Sequence, residues 1–101
     1  MKITITELSQ VCELLFKKTK LSGFNEIDFD TDNYWTIASD EREKFDKEPA
    51  LIVGSLFDDI EELKKILHKK NPTTIVDFDR LANILVAVGE RISRSDKPFL
   101  P

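Results

Sequence analysis

The hydrophobic period changes twice along this chain, and that change limits the folds available to it. Apolar residues recur every three to four positions between residues 6 and 19, whereas they alternate with polar residues over 26–30 and are followed by a second β-rich stretch over 34–37. They return to helical spacing between 58 and 92. Helical segments flanking a block of strands are typical of α+β domains. We therefore predict a small two-layer α+β domain, in which two to three strands form an antiparallel sheet and three helices pack on one face.

The first helix is predicted from about Thr6 to Thr19. Two N-caps are compatible with the residues before it: Thr4 in a capping box with Glu7, or Thr6 itself. Gly23 follows as a stop signal. Residues 2–5 alternate in polarity, so a short strand in their place stays an open alternative. The helix carries one apolar face that we expect to be buried, made of Leu8, Val11, Cys12, Leu15 and Phe16.

Three candidate strands follow. Residues 26–30 alternate polar and apolar, 34–37 are rich in β-formers, and 51–53 are apolar on both faces, which favours a central strand. Between the last two, residues 39–48 are nearly all charged and predict a loop or a short exposed helix. Alternation assigns the core face to Ile27, Phe29, Trp35 and Ile37. The same alternation assigns the opposite face to Glu26, Asp28, Asp30, Tyr34 and Thr36.

Two more helices are predicted after the strands. The second covers about residues 58–69, with Asp58 as its N-cap. The third covers about 77–92, and its apolar surface is broad enough to predict that other elements largely enclose it. We expect a single α+β domain over residues 1–92 and a C-terminal tail over 93–101.

Two short motifs resemble those of a group of small bacterial proteins. These are the Y-W-x-I pattern of residues 34–37 and the G-x-L-x-D-D pattern of residues 54–59. The likeness extends over roughly residues 30–92. It implies a small α+β domain of a bacterial protein, and it supplies no catalytic residues.

The cysteine content, the apolar runs and the net charge indicate which cellular compartment and which partners to expect. Cys12 is the only cysteine, so an intrachain disulfide is impossible. The N-terminus has no apolar signal region, and the longest apolar run, residues 84–88, is too short to span a membrane. A net charge of −4 opposes nonspecific binding to nucleic acid. We expect a cytoplasmic protein with neither a membrane nor a nucleic-acid partner.

No catalytic or metal-binding motif is complete. Residues 28–33 begin like a calcium loop, but Asn33 and Ser39 occupy the places where that loop requires glycine and glutamate. His68, the only histidine, cannot build a zinc site with the distant Cys12. We therefore predict no catalytic residue, no metal and no cofactor.

The acidic residues are concentrated in one segment. Residues 26–62 hold 13 Asp and Glu against 3 Lys and Arg, whereas the other residues hold 6 against 12. Such a segment suits a basic protein partner, because its field steers the encounter. Tyr34 on the same predicted face is either a binding hot spot or a surface tyrosine packed on its cross-strand neighbour. The predicted partner-binding residues are Glu26, Asp28, Asp30, Asp32, Tyr34, Asp40, Glu41 and Glu43.

These observations predict a non-enzymatic, acidic protein-binding domain. Its most concrete form is a bacterial immunity protein that neutralises a toxin such as a nuclease, since a nuclease binds phosphate with basic groups that an acidic surface can occlude. A regulatory or assembly adaptor is the alternative. A carboxylate–metal hydrolase using Asp28, Asp30 and Asp58 ranks third. A monomer or a weak homodimer is expected.

Overall fold

The structure, a computed structural model, describes residues 1–30, 32–37 and 51–100, and it describes the backbone alone over 33–37 and 51–53. Three helices and two strands form in these residues. They are α1 (Ile5–Leu21), β1 (Asn33–Ile37), β2 (Leu51–Ser55), α2 (Leu56–Leu67) and α3 (Val76–Ser93).

The chain divides into two compact units. The first consists of Met1–Asp28 and Gly89–Pro101, and the second of Phe29–Val88. Helix α1 and the segment after α3 belong to the first unit. The two strands, α2 and most of α3 belong to the second.

The predicted two-layer α+β class is wrong. Helices of 17, 12 and 18 residues outweigh two strands of five residues each. The strands form one antiparallel ladder, and among the described residues of the second unit no helix packs extensively on it. A two-stranded ladder is too narrow to serve as a layer that covers three helices. The chain is therefore mostly helical, with a short β-ribbon.

The ladder joins the second and third predicted strands. Tyr34 lies opposite Gly54, and Trp35 lies opposite Val53. The first predicted strand does not form, because residues 26–30 join no ladder. Their alternation in exposure nevertheless persists: the two apolar residues of this stretch are half-buried, and the three acidic ones are exposed.

Local hydrogen bonds set both ends of α1. Thr4 is the N-cap, because its Oγ1 accepts from the Glu7 amide at 3.0 Å while the Glu7 carboxylate accepts from the Thr4 amide at 3.1 Å. Hydrogen bonding of the Glu7 carboxylate to the Thr4 side chain, and secondly to the Thr4 amide, lowers the pKa of Glu7 below its ordinary value. Residues 2–4 precede the helix without forming a strand.

Gly23 terminates α1, as predicted. Its φ of 94° is in the left-handed region, which glycine adopts without steric cost. The Gly23 amide donates to the Lys20 carbonyl at 3.0 Å, and the Phe24 amide donates to the Thr19 carbonyl at 3.1 Å. Together these bonds form a Schellman motif that satisfies the last carbonyls of the helix.

Helix α2 begins earlier than predicted. Ser55, the last residue of β2, is its N-cap, and Ser55 Oγ accepts from the Asp58 amide at 3.2 Å. The prediction that Asp58 caps the helix is therefore wrong. At the other end, Lys69 follows the C-cap with a φ of 58°, a conformation that strains a residue with a Cβ.

Burial differs most from the predictions. Among the described side chains, Leu56 alone is buried. The predicted buried face of α1 is largely exposed, with Val11 at 56% and Leu15 at 49%. Helix α3 is not enclosed either, since Phe78 is 71% exposed and Val86 is 61% exposed. The predicted core position of the Trp35 side chain lies outside the described residues.

Candidate protein-binding surface

The predicted acidic site is distributed over both units. Glu26 and Asp28 are exposed in the first unit. Asp30 and Asp32 are exposed in the second unit.

The other predicted site residues are described only in part. Tyr34 lies on β1, and its side chain is outside the described residues. The residue opposite it is Gly54, which has no side chain on which a tyrosine could pack. Three further predicted site residues lie outside the described chain: Asp40, Glu41 and Glu43.

Glu26 and Asp28 line one pocket of the first unit. Its volume is about 160 Å³. Both carboxylates are exposed, and neither is engaged by a hydrogen bond or an ion pair with a described residue. The pocket also has residues from the segment after α1 and from the end of α3, and the complete lining is Phe24, Glu26, Ile27, Asp28, Arg91, Ile92 and Ser95.

One long-range hydrogen bond holds the two sides of this pocket together. The guanidinium Nε of Arg91 donates to the carbonyl oxygen of Asp28 at 3.0 Å. The bond uses the backbone of Asp28 and leaves its carboxylate available. Arg91 is half-buried, so this charge-assisted bond orients its side chain within the lining.

The chain after α3 is fastened to the end of α1 next to the pocket. Lys97 Nζ donates to the Gly23 carbonyl at 3.0 Å and lies 5.4 Å from the centre of the Phe24 ring. The Leu100 amide donates to Ser22 Oγ at 3.0 Å. The predicted C-terminal tail thus contributes contacts that position Phe24, one wall of the pocket.

Asp32, which was predicted to bind the partner, also stabilises the start of α2. Its Oδ1 accepts from the Phe57 amide at 2.7 Å, and its carbonyl oxygen accepts from the Leu56 amide at 2.8 Å. Ser55 Oγ lies 3.0 Å from the same carboxylate oxygen. The Asp32 carboxylate therefore caps α2 from outside the helix, where a negative charge also interacts favourably with the helix dipole.

The described residues offer few groups that could bind a metal ion or act as a nucleophile. In them, no three His, Cys, Asp or Glu side chains are grouped to hold a metal ion. Cys12 is half-buried on α1 in the first unit, and His68 is exposed at the C-cap of α2 in the second unit. None of the helices described here combines the length and apolar character that a bilayer crossing requires.

Sequence reasoning missed most of the pocket lining. Arg91 and Ile92 were expected only as parts of a helix end, and their approach to Asp28 spans 63 positions of sequence. One local signal pointed to Phe24. A hydrophobic residue directly after a helix-terminating glycine commonly packs back on the last turn of the helix.

A comparison of the chain with protein-family models, curated proteins and solved structures gave no significant match.

Proposed function

We propose that this chain is a non-enzymatic domain that binds a basic protein partner through exposed acidic side chains. The observation that carries the proposal is the segregation of charge, with 13 acidic and 3 basic residues over 26–62. Glu26, Asp28 and Asp30 in that segment are all exposed. Exposed, concentrated charge of one sign raises the rate of encounter with a partner of opposite sign.

The most concrete form of this proposal is a bacterial immunity protein that acts in the cytoplasm on a toxin such as a nuclease. A nuclease must present basic groups to bind phosphate, and an acidic protein surface can occupy those groups. The proposal needs no catalytic residue in this chain, and it assigns Glu26, Asp28 and Asp30 to the partner interface. Asp32 contributes negative charge while it caps α2.

The test starts with the wild-type chain as bait in an extract of its native host. A captured protein is then purified, and its association with variants is followed at several salt concentrations. We expect Asp28→Lys with Asp30→Lys to slow association at least tenfold and to flatten its salt dependence. The control is Glu13→Lys with Asp96→Lys, which changes the net charge equally outside the acidic segment.

The outcome separates specific steering from a general charge effect. If the control pair slows association as much as the acidic-segment pair does, net charge explains the rate and the proposed site is wrong. A partner that is toxic alone and harmless in the complex supports the immunity assignment. A partner without toxic activity favours a regulatory or assembly adaptor instead.

A further inference from the structure

The pocket of the first unit has room for one side chain. Its volume of about 160 Å³ is close to that of a cavity of about 150 Å³ that accommodates benzene in another protein. One long side chain fits in such a volume, whereas a folded segment of a partner does not.

The lining combines apolar walls with net negative charge. Phe24, Ile27 and Ile92 are half-buried and supply apolar surface. The carboxylates of Glu26 and Asp28 outweigh the single guanidinium of Arg91. A side chain with an apolar stem and a cationic head matches this arrangement, because the stem removes apolar area from water while the head meets the carboxylates.

The nearby cations are already held in place. Arg91 Nε donates to the Asp28 carbonyl oxygen, and Lys97 Nζ donates to the Gly23 carbonyl oxygen. Among the described contacts, neither cation forms an ion pair with the pocket carboxylates. The two carboxylates are therefore available to a cation that comes from outside.

We infer that this pocket receives one lysine or arginine side chain of the basic partner. Its aliphatic stem contacts Phe24 and Ile27, and its charged head binds Glu26 and Asp28. The inference rests on the proposed function, since it supplies the anchor for that interface. Protein interfaces concentrate most of their binding energy in a few buried residues, arginine among them, which are surrounded by contacts that contribute little.

The experiment uses the full chain and a small probe, N-acetyl-lysine methylamide, in an NMR titration of the backbone amides. We expect saturable shifts confined to residues 24–28 and 91–95, with a dissociation constant on the order of millimolar, as suits so small a ligand. Glu26→Gln with Asp28→Asn should weaken binding at least tenfold. The matched control, Glu13→Gln with Asp58→Asn, makes the same chemical changes outside the lining and should bind as wild type does.

Two further probes test whether the pocket prefers a cationic side chain to a neutral or an anionic one. N-acetyl-norleucine methylamide keeps the apolar stem without the ammonium, and it should bind at least tenfold more weakly. N-acetyl-glutamate methylamide should bind more weakly still. Anionic binding at these residues that equals or exceeds lysine binding would overturn the inference, because Arg91 would then be the recognition element.

The failure of this inference differs from the failure of the proposed function. If no probe gives saturable shifts at the pocket, the pocket is not an anchor site, and the effect of Asp28→Lys with Asp30→Lys on partner association is untouched. If the probe binds as expected but the association rate of the partner is unchanged by Asp28→Lys with Asp30→Lys, the proposed function fails. The pocket would still bind a cationic side chain.

Discussion

Removal of the Asp32 carboxylate should unfold the start of α2. Asp32→Ala leaves the Phe57 amide without its 2.7 Å acceptor and takes a negative charge from the helix N-terminus. Loss of a capping side chain costs about 1 kcal/mol, and loss of the charge costs about 0.3–1 kcal/mol. We therefore expect the free energy of unfolding to fall by about 1–2 kcal/mol, which corresponds to about 5–10 °C in melting temperature.

Urea denaturation measures this change, and hydrogen exchange at the Phe57 amide locates it. Asp28→Ala is the matched control, because that exposed side chain makes no described hydrogen bond, and it should change stability by less than about 0.5 kcal/mol. Asp32→Asn keeps an acceptor for the Phe57 amide and should cost less than Asp32→Ala. If Asp32→Ala and Asp28→Ala gave equal stabilities and equal exchange at Phe57, the capping role of Asp32 would be refuted.

Four further predictions concern the helices and the residues that follow them. Gly23→Ala should destabilise the protein by about 1 kcal/mol, because its φ is 94° and a Cβ there would lie 3.3 Å from Lys97 Nζ. Gly89→Ala should stabilise it by about 0.5–1 kcal/mol, since Gly89 lies inside α3 and an added Cβ would meet nothing within 4 Å. Urea denaturation measures both changes: a stabilising Gly23→Ala would contradict the first argument, and a destabilising Gly89→Ala would contradict the second. Lys69→Gly should stabilise by about 1 kcal/mol by relieving a φ of 58°, and an unchanged urea midpoint would show that no strain is stored there. The pKa of Asp77 is lowered, first by its bond from the Thr74 amide and then by Arg80, so its contribution is present at neutral pH and is lost as the pH falls through the folded-state pKa. The difference in melting temperature between wild type and Asp77→Asn should therefore shrink as the pH falls below about 3.9, and a difference independent of pH would contradict this.

Helix ends were the most predictable part of the structure. The Thr4–Glu7 capping box and the Gly23 stop follow from residues three or four positions apart, whose hydrogen bonds form within a single turn. The start of α2 was missed, because a strand that continues directly into a helix gives the cap to its own last residue, Ser55. Asp58 resembles a cap in sequence but occupies the third helical position.

The sequence predicted which acidic residues of the candidate site are exposed, but it did not predict how they are arranged in space. The exposure of Glu26 and Asp28 follows from their alternation with apolar neighbours, although no strand forms there. The pocket that they line depends on Arg91, which is 63 positions away from Asp28. The spacing of apolar residues along the sequence cannot predict a contact between residues so far apart.

The amino-acid sequence by itself determined where the helices lie to within a few residues, that Gly23 ends α1, and where the acidic charge is concentrated. These properties depend on interactions between residues a few positions apart and on composition. Tertiary structure alone decided that residues 33–37 pair with residues 51–55, that most of the apolar face of α1 is exposed, and that Asp28 meets Arg91. The physical reason is that strand pairing and burial depend on which distant segments meet, and an amphipathic pattern shows that a face can be buried without showing what covers it.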